Sequence, residues 1–345
     1  MVNILCLNST KTDLAGQIYL ATNYFQSQRR IKFLVDVYLC CEKLNNRLQD
    51  LPIQFKNPQP RAWKTINWQT INQDKIIGID LDVFLSIIVG AMDTEAPIRG
   101  YAQTSRQYLE KLHPQLARFV GGIAENGKLL ELSLWEKEER QHTPALLKIY
   151  SQLTGKKITP TVRSVRGYQP SHDPYTDLYC HGLHRVATEY GATCLYLWLM
   201  AHTTGELQTV IEELALDEIN HTTKFWGFGV WAFPKSSVVA IAHTLIQTTI
   251  RPISSSRSSL FRTLHRMTKI LNWQTWLLTN KSSFIYTCTH TLHHLYSWNN
   301  TLTPEYLQQL FGEPPTPHRL RKYYLLGQAG GALVAGGAGG EKRLN

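Results

Sequence analysis

Apolar side chains recur in steps of three and four along most of the chain, the spacing of one face of an α-helix, and alternating β-branched runs are few. A first helical run spans Ile18 to Leu44. Residues 51–78 are broken by Pro52, Pro58 and Pro60, hold Trp63 and Trp68, and read as a loop wrapped on the surface. From Leu81 to about Phe225 the helical period dominates, interrupted by a polar stretch from Lys156 to Pro174 that contains Pro160 and Pro170. Residues 235–310 are helix-like again and more basic, with Arg251, Arg257, Arg262, Arg266 and Lys269 on what reads as a solvated face. The glycine-rich segment Gly327 to Gly340 reads as disordered, and its GGAGG follows no strand, which argues against dinucleotide binding. The pattern predicts an all-α chain in four parts. These are an N-terminal helix and wrapping loop (1–78), a helical core (79–225), a helical extension of the same domain (226–326) and a disordered tail (327–345).

Acidic residues interrupt the apolar stripes at four places. Leu81, Phe84, Ile88 and Met92 lead to Glu95, and Leu132, Trp135, Leu146, Ile149 and Leu153 share a face with Glu139 and His142. Leu178, Gly182, Ala192, Tyr196 and Leu199 share theirs with Glu189, while Leu207, Ile211, Leu214 and Phe225 share theirs with Glu218 and His221. A buried unpaired carboxylate is costly, so four on core faces require a common partner, and a pair of divalent metal ions supplies one. Glu139–His142 and Glu218–His221 are both Glu-x-x-His. On a helix such residues lie about 60° apart with a rise of ~4.5 Å, within reach of one ion.

Chance predicts fewer than one such pair at this composition, and the chain has three. The third, Glu110–His113, stands roughly 22 Å beyond Glu95 along the same predicted helix and reads as a solvated helix end. Glu189 and Glu218 flank the turn-like His202–Glu206, so antiparallel helices bring them to one level. Glu95 and Glu139 fold back in the same way about a midpoint at 117, just after His113-Pro114. The 156–174 stretch is long enough to cross a bundle whose middle helices run parallel. One Glu from each of two helices with Glu-x-x-His from each of two others is the ligand set of ferritin-like di-iron and di-manganese bundles. Residues 79–225 are therefore expected to form a ferritin-like four-helix bundle with a long crossover, joined by additional helices.

Composition narrows the chemistry. With 345 residues, 43% of them hydrophobic, the chain can bury a sizeable core. Its net charge of +10 favours acidic partners, and no nucleic-acid-binding motif accompanies it. Six cysteines form no CxxC, which excludes a built-in iron–sulfur or thioredoxin-type centre, and no flavin fingerprint is present. Electrons for redox chemistry must then come from another protein. No long uncharged apolar run or basic leader is seen, and mean hydropathy is −0.24, so the expectation is a cytoplasmic chain without a membrane span.

At these motifs the chain resembles the soluble acyl-carrier-protein desaturases, members of the ferritin-like di-iron family. IIVGAMDTEAPIRGYAQ, ending at Gln103, is similar to the family's first ligand helix, although the second acid of its Thr-Glu-Glu is here Ala96. WEKEERQH (Trp135 to His142) matches W-x-x-x-E-x-x-H and is followed by a similar LLKIYSQLTGK. Asp217-Glu218-Ile219-Asn220-His221 matches D-E-x-x-H. ATEYGAT resembles the third ligand helix, but Ala192 stands where the family has Thr, with Thr193 one position on. The resemblance covers roughly residues 58–225.

It implies an O2-dependent di-iron oxidoreductase with two iron ions per chain. Glu95 and His142 would serve one iron, Glu189 and His221 the other, and Glu139 and Glu218 would bridge them. The implied reaction desaturates an acyl chain on acyl carrier protein, with electrons from an acidic donor such as ferredoxin, in a homodimer. Fatty aldehydes, amines or a magnesium porphyrin are alternative substrates, and a non-enzymatic iron-binding role is another alternative. Carboxylate and imidazole ligands suit manganese as well as iron. Trp135, one turn before Glu139, reads either as part of an electron path or as core packing. Asp217 reads either as an orienting partner for a ligand histidine or as solvent-facing.

Other features weigh less. His290-Thr-Leu-His293-His294 spells a box found in membrane desaturases, but without their spans it reads as a local surface cluster. His181 and His184 read as satisfied histidines. Pro97 and Pro144 fall inside predicted helices, where a kink or π-bulge is expected. FWGFGVWAF (Phe225 to Phe233) reads as a core cap or as the wall of an apolar channel.

Overall fold

A computed structural model describes residues 24–54, 56–96, 102, 106, 114–125, 128–161, 185–232, 268 and 271–312. These residues are mostly helical: α1 (Tyr24–Tyr38), α2 (Leu44–Leu48), α3 (Leu51–Gln54), α4 (Leu81–Glu95), α5 (Pro114–Gly121), α6 (Leu134–Thr154), α7 (Arg185–Ala201), α8 (Gly205–Ala232), α9 (Leu278–Trp298) and α10 (Pro304–Phe311). The described strands are β1 (Ile123–Glu125) and β2 (Lys128–Glu131), paired antiparallel with a register shift between Ile123 and Ala124. No described helix is long and apolar enough to cross a membrane.

Local chemistry sets the helix ends. Ser133 caps α6 by accepting from the Glu136 N–H at 2.9 Å, and its hydroxyl donates to the Val120 carbonyl, which ties α6 to α5. Gly155, at φ +69°, closes the same helix. α6 stays α-helical through Pro144, with no π turn there. Thr303 caps α10 with Pro304 in its first turn.

α7 and α8 lie side by side, α4 packs on α6, and α6 also meets α8. α1 and α9 pack on each other and on α7, and α10 packs on α8. The Phe225–Ala232 end of α8 is buried all round: Trp226 meets Trp298, Trp231 meets Phe311, and the Trp231 indole donates to the Gly312 carbonyl. The run caps the core against α9 and α10.

The sequence expectations meet two corrections. The chain does not reverse near residue 117 by a turn, because 117 lies inside α5 and the hairpin β1–β2 follows it. Gly122 makes the junction at φ +86°, where a Cβ would fall 2.2 Å from the Glu131 carbonyl oxygen. Second, Leu132 precedes α6 and is only half-buried, so the stripe on that helix begins at Leu134 and Trp135. Expectations for Pro97, the Glu110–His113 pair, most of the 156–174 crossover, His181, His184, the basic run after Arg251 and the glycine-rich tail lie outside the described residues.

The predicted surface loop proves to be a strap along α8. Its start is held by Arg61 and Trp63 against Glu213 and Asp217. Further along, Lys64 pairs with Glu212 at 2.8 Å and the Asn67 N–H donates to Glu206 at 3.1 Å. At its end, the Ile77 N–H donates to the His202 carbonyl and the Thr204 N–H to the Lys75 carbonyl, so the strap reaches the α7–α8 turn. Arg30 of α1 donates to the Thr203 carbonyl at the same turn.

Candidate metal centre

Four helices bring the six stripe residues together. Glu95 comes from the end of α4, Glu139 and His142 from α6, Glu189 from α7, and Glu218 and His221 from α8, and all six are buried. They form two overlapping groups, Glu95–Glu139–His142–Glu218 and Glu139–Glu189–Glu218–His221, each with its ligand atoms within 4.8 Å of one another. Glu139 and Glu218 belong to both groups.

The imidazoles set the polarity of the site. His142 Nδ1 faces Glu139 Oε2 at 3.2 Å, Glu218 Oε1 at 3.3 Å and Glu95 Oε2 at 3.8 Å. His221 Nδ1 faces Glu139 Oε1 at 3.3 Å, Glu189 Oε2 at 3.7 Å and Glu218 Oε2 at 3.8 Å. Each of these two shared carboxylates thus turns one oxygen to each histidine. The outer nitrogens are held from behind: His142 Nε2 lies 3.3 Å from Asp217 Oδ2 and His221 Nε2 lies 2.9 Å from Glu138 Oε2. An Nε2–H donated outward leaves the Nδ1 lone pair pointing inward, the tautomer a metal ligand requires.

Four of these inward atoms lack hydrogen bonds. Glu139 Oε2, Glu218 Oε2, His142 Nδ1 and His221 Nδ1 are buried with no hydrogen-bond partner, although they crowd one another. Buried polar atoms are nearly always satisfied, so four orphans aimed at common points fit divalent cations between them.

Ionisation tells the same story. Burial and the neighbouring Glu139 push Glu95 well above the usual carboxylate range. Burial raises Glu189 to about 8, with His221 opposing and Glu218 and Glu139 adding. Burial works against a charged Glu139, yet His142 and His221 hold it well below the usual range. It works against charged imidazoles too, but Glu139 and Asp217 pull His142 far up, and Glu138, Glu139 and Glu189 do the same for His221. Glu95, Glu139, Glu189 and both imidazoles are thus shifted by burial and by one another, as expected where acids and bases are crowded out of water.

The outer carboxylates belong to a wider network. Asp217 is fully buried rather than solvent-facing. Its Oδ1 accepts from Arg61 Nε at 2.7 Å, and its Oδ2 accepts from the Trp63 indole N–H at 2.8 Å. The Arg61 backbone N–H donates to Glu138 Oε1 at 2.9 Å, and its guanidinium also pairs with the Glu213 carboxylate. Trp63 stacks on His142 at 6.2 Å.

Trp135 sits elsewhere. It packs edge-on against Phe225 and beneath the Arg185 guanidinium, and its buried indole N–H has no hydrogen-bond partner. The tryptophan joined to His142 through a carboxylate is Trp63. Sequence reasoning missed Trp63, Arg61, Glu138 and Glu213. It also took Tyr196 as a stripe residue, whereas the Tyr196 hydroxyl donates to Glu95 Oε1 at 3.1 Å. Thr193 and Thr222, one turn past Glu189 and Glu218, place their hydroxyls 3.2 Å apart in the core. No family model matches the chain, and no curated protein or solved structure matches it either.

Proposed function

We propose that the chain is an O2-dependent di-iron oxidoreductase of ferritin-like bundle fold that desaturates an acyl chain presented on a carrier protein. The observation that carries this reading is the pair of overlapping Glu/His groups in which His142 Nδ1, His221 Nδ1, Glu139 Oε2 and Glu218 Oε2 are buried, crowded and without hydrogen bonds. The substrate class rests on the resemblance of the motifs around Glu95, Glu139, His142, Glu218 and His221 to those of the soluble acyl-carrier-protein desaturases.

In this reading Glu95 and His142 would hold one ion and Glu189 and His221 the other, with Glu139 and Glu218 available to both. An iron pair held there would supply O2 activation and the one-electron chemistry needed at an unactivated C–H bond. The protein's own residues prepare the site. Asp217 and Glu138 fix both imidazole tautomers, Arg61 holds the two outer carboxylates in register, and Tyr196 orients Glu95. The helices bury all six of these side chains, Glu95 being the most exposed at 8%. Half-buried Trp63, through Asp217 to His142, forms a hydrogen-bonded route inward from the surface strap, and it replaces Trp135 as the electron path. The net charge of +10 suits an acidic ferredoxin-type donor and acidic acyl carrier protein.

Anaerobic ferrous titration followed by O2 tests the centre. Two irons per chain and a near-ultraviolet oxo-bridge absorption are expected, both abolished in Glu139→Ala. Loose surface iron alone, or a preference for manganese with no iron uptake, defeats the di-iron assignment. With the centre established, reduced protein incubated with acyl carrier substrates and O2 should give an unsaturated acyl product. An unchanged acyl chain would reject the desaturase assignment.

A further inference from the structure

The histidine box of α9 did not enter the reading above, yet it is built against a carboxylate from the other end of the described chain. His290 and His294 stand four residues apart on one face of α9. Both turn Nε2 toward the same oxygen, Asp36 Oδ1 of α1, at 2.7 and 2.8 Å. The other oxygen, Oδ2, is occupied by Lys32, one turn earlier on α1. The three inward atoms lie within 4.8 Å of one another. The two rings stand nearly perpendicular at 5.1 Å, and Tyr286 stacks flat on His290 at 5.6 Å, which fixes that ring's plane.

We propose that Asp36, His290 and His294 form a separate metal site that takes a single borderline divalent cation, zinc foremost, and pins α9 to α1. Two imidazoles with one carboxylate select zinc, copper or nickel over magnesium and calcium, which prefer all-oxygen shells. A zinc ion ~2.0–2.1 Å from each donor separates tetrahedral ligand atoms by roughly 3.3 Å, so each ring need withdraw only about half an ångström. Asp36 and the two histidines are partly buried, so the ion is shielded while its fourth position stays open to water. Burial, aided by His294 and Lys32, pulls His290 below the usual imidazole range despite Asp36.

The site lies at a seam of long sequence separation. α9 is otherwise tied to its neighbours by the Tyr190 hydroxyl on the Cys288 carbonyl, the Trp198 indole on Ser283 and the Trp298 indole on the Leu39 carbonyl. A metal bridge between α1 and α9 adds a link that binds only the folded chain, so zinc stabilises it by mass action. Exposed His293, whose ring lies 6.5 Å from that of His290 and 6.2 Å from that of His294, faces no carboxylate among the described residues and serves as the internal control.

The full-length chain is titrated with zinc by calorimetry beside His290→Ala/His294→Ala, Asp36→Asn and His293→Ala, with the helicity of each metal-free variant measured first. The double histidine variant is expected to bind one zinc fewer than the parent. Asp36→Asn should lose at least the ~10–100-fold affinity that loss of a ligand's supporting partner costs, and His293→Ala should match the parent. Equal stoichiometry in the double variant overturns the proposal. So does parental affinity in Asp36→Asn, or an equal loss in His293→Ala, which would mark an exposed histidine patch only. If the double variant loses helicity, the isosteric Asp36→Asn decides alone. Zinc taken up by the buried clusters is common to all four proteins, and Glu139→Ala removes that uptake while leaving this site, so the two readings fail separately.

Discussion

Arg61 is the residue whose loss the network predicts most sharply. Its Nε donates to Asp217 Oδ1 at 2.7 Å, one Nη pairs with the Glu213 carboxylate, and the other donates to the Glu213 carbonyl at 2.7 Å. Asp217 and Glu213 have fully buried side chains, whereas that of Arg61 is 24% exposed. Arg61→Met therefore leaves two buried carboxylates short of their cation. Three hydrogen bonds to or from charged groups at ~1.5–3 kcal/mol each set a ceiling that shared partners keep the protein from reaching. Removing one member of a buried pair costs about 3–5 kcal/mol. Water can enter where the guanidinium was partly exposed, which places the expected loss at the low end, about 3 kcal/mol. Equilibrium urea unfolding of the metal-free chain reads it as a lower midpoint at unchanged slope. Lys64→Met is the control, because Lys64 is 44% exposed and its pairs with Glu212 and Glu213 should be worth less than ~1 kcal/mol. Glu213→Gln placed in the Arg61→Met background should recover part of the loss by removing one stranded charge. A loss within 1 kcal/mol of the Lys64→Met control, or a further loss on adding Glu213→Gln, would refute the reasoning.

Trp63→Phe should keep ferrous stoichiometry but slow re-reduction by an acidic protein donor about tenfold relative to dithionite, since Asp217 loses a hydrogen-bond donor. Equal slowing with both reductants would mean a damaged site instead of a lost route. Metal uptake should strengthen as pH rises through about 8, where Glu189 sheds the proton that burial makes it retain, and should release protons into a weakly buffered solution. A pH-independent affinity measured against a chelator would contradict that. His202 is buried against Trp198 and the Ile77 carbonyl, and burial lowers it to about 4. The unfolded chain binds its proton first as pH falls, so the stability is present above about 6.5 and is lost as pH drops toward about 4. The loss amounts to roughly 3 kcal/mol, and His202→Gln should flatten that part of the acid-unfolding curve.

Much of the helical layout was legible because helix periodicity is local information. The start at Leu81, the turn at His202–Glu206 and the acids on four apolar faces are all stated within windows of a few turns. Six polar side chains on core faces implied a shared partner, and in the structure those six side chains meet. The hairpin between α5 and α6 was hidden inside a long stretch read as helical, because strands of three and four residues are too short to show an alternating period.

The outer half of the site was not legible. Glu138 neighbours Glu139 but is rotated about 100° off the stripe, so periodicity assigns it to solvent. It is held instead between His221 of α8 and the strap, which lays the Arg61 backbone N–H on its other oxygen. Arg61 and Trp63 meet Glu213 and Asp217 across 152 to 156 residues of chain, and nothing in a local window relates them. The choice between Trp135 and Trp63, and the meeting of Asp36 with His290 and His294, are likewise facts of packing. Sequence by itself determined which residues must face inward, because burial of apolar surface follows the helical repeat. Which polar groups then met was decided by tertiary structure, because hydrogen bonds and ion pairs depend on ångström-scale proximity between segments whose spacing along the chain carries no such information.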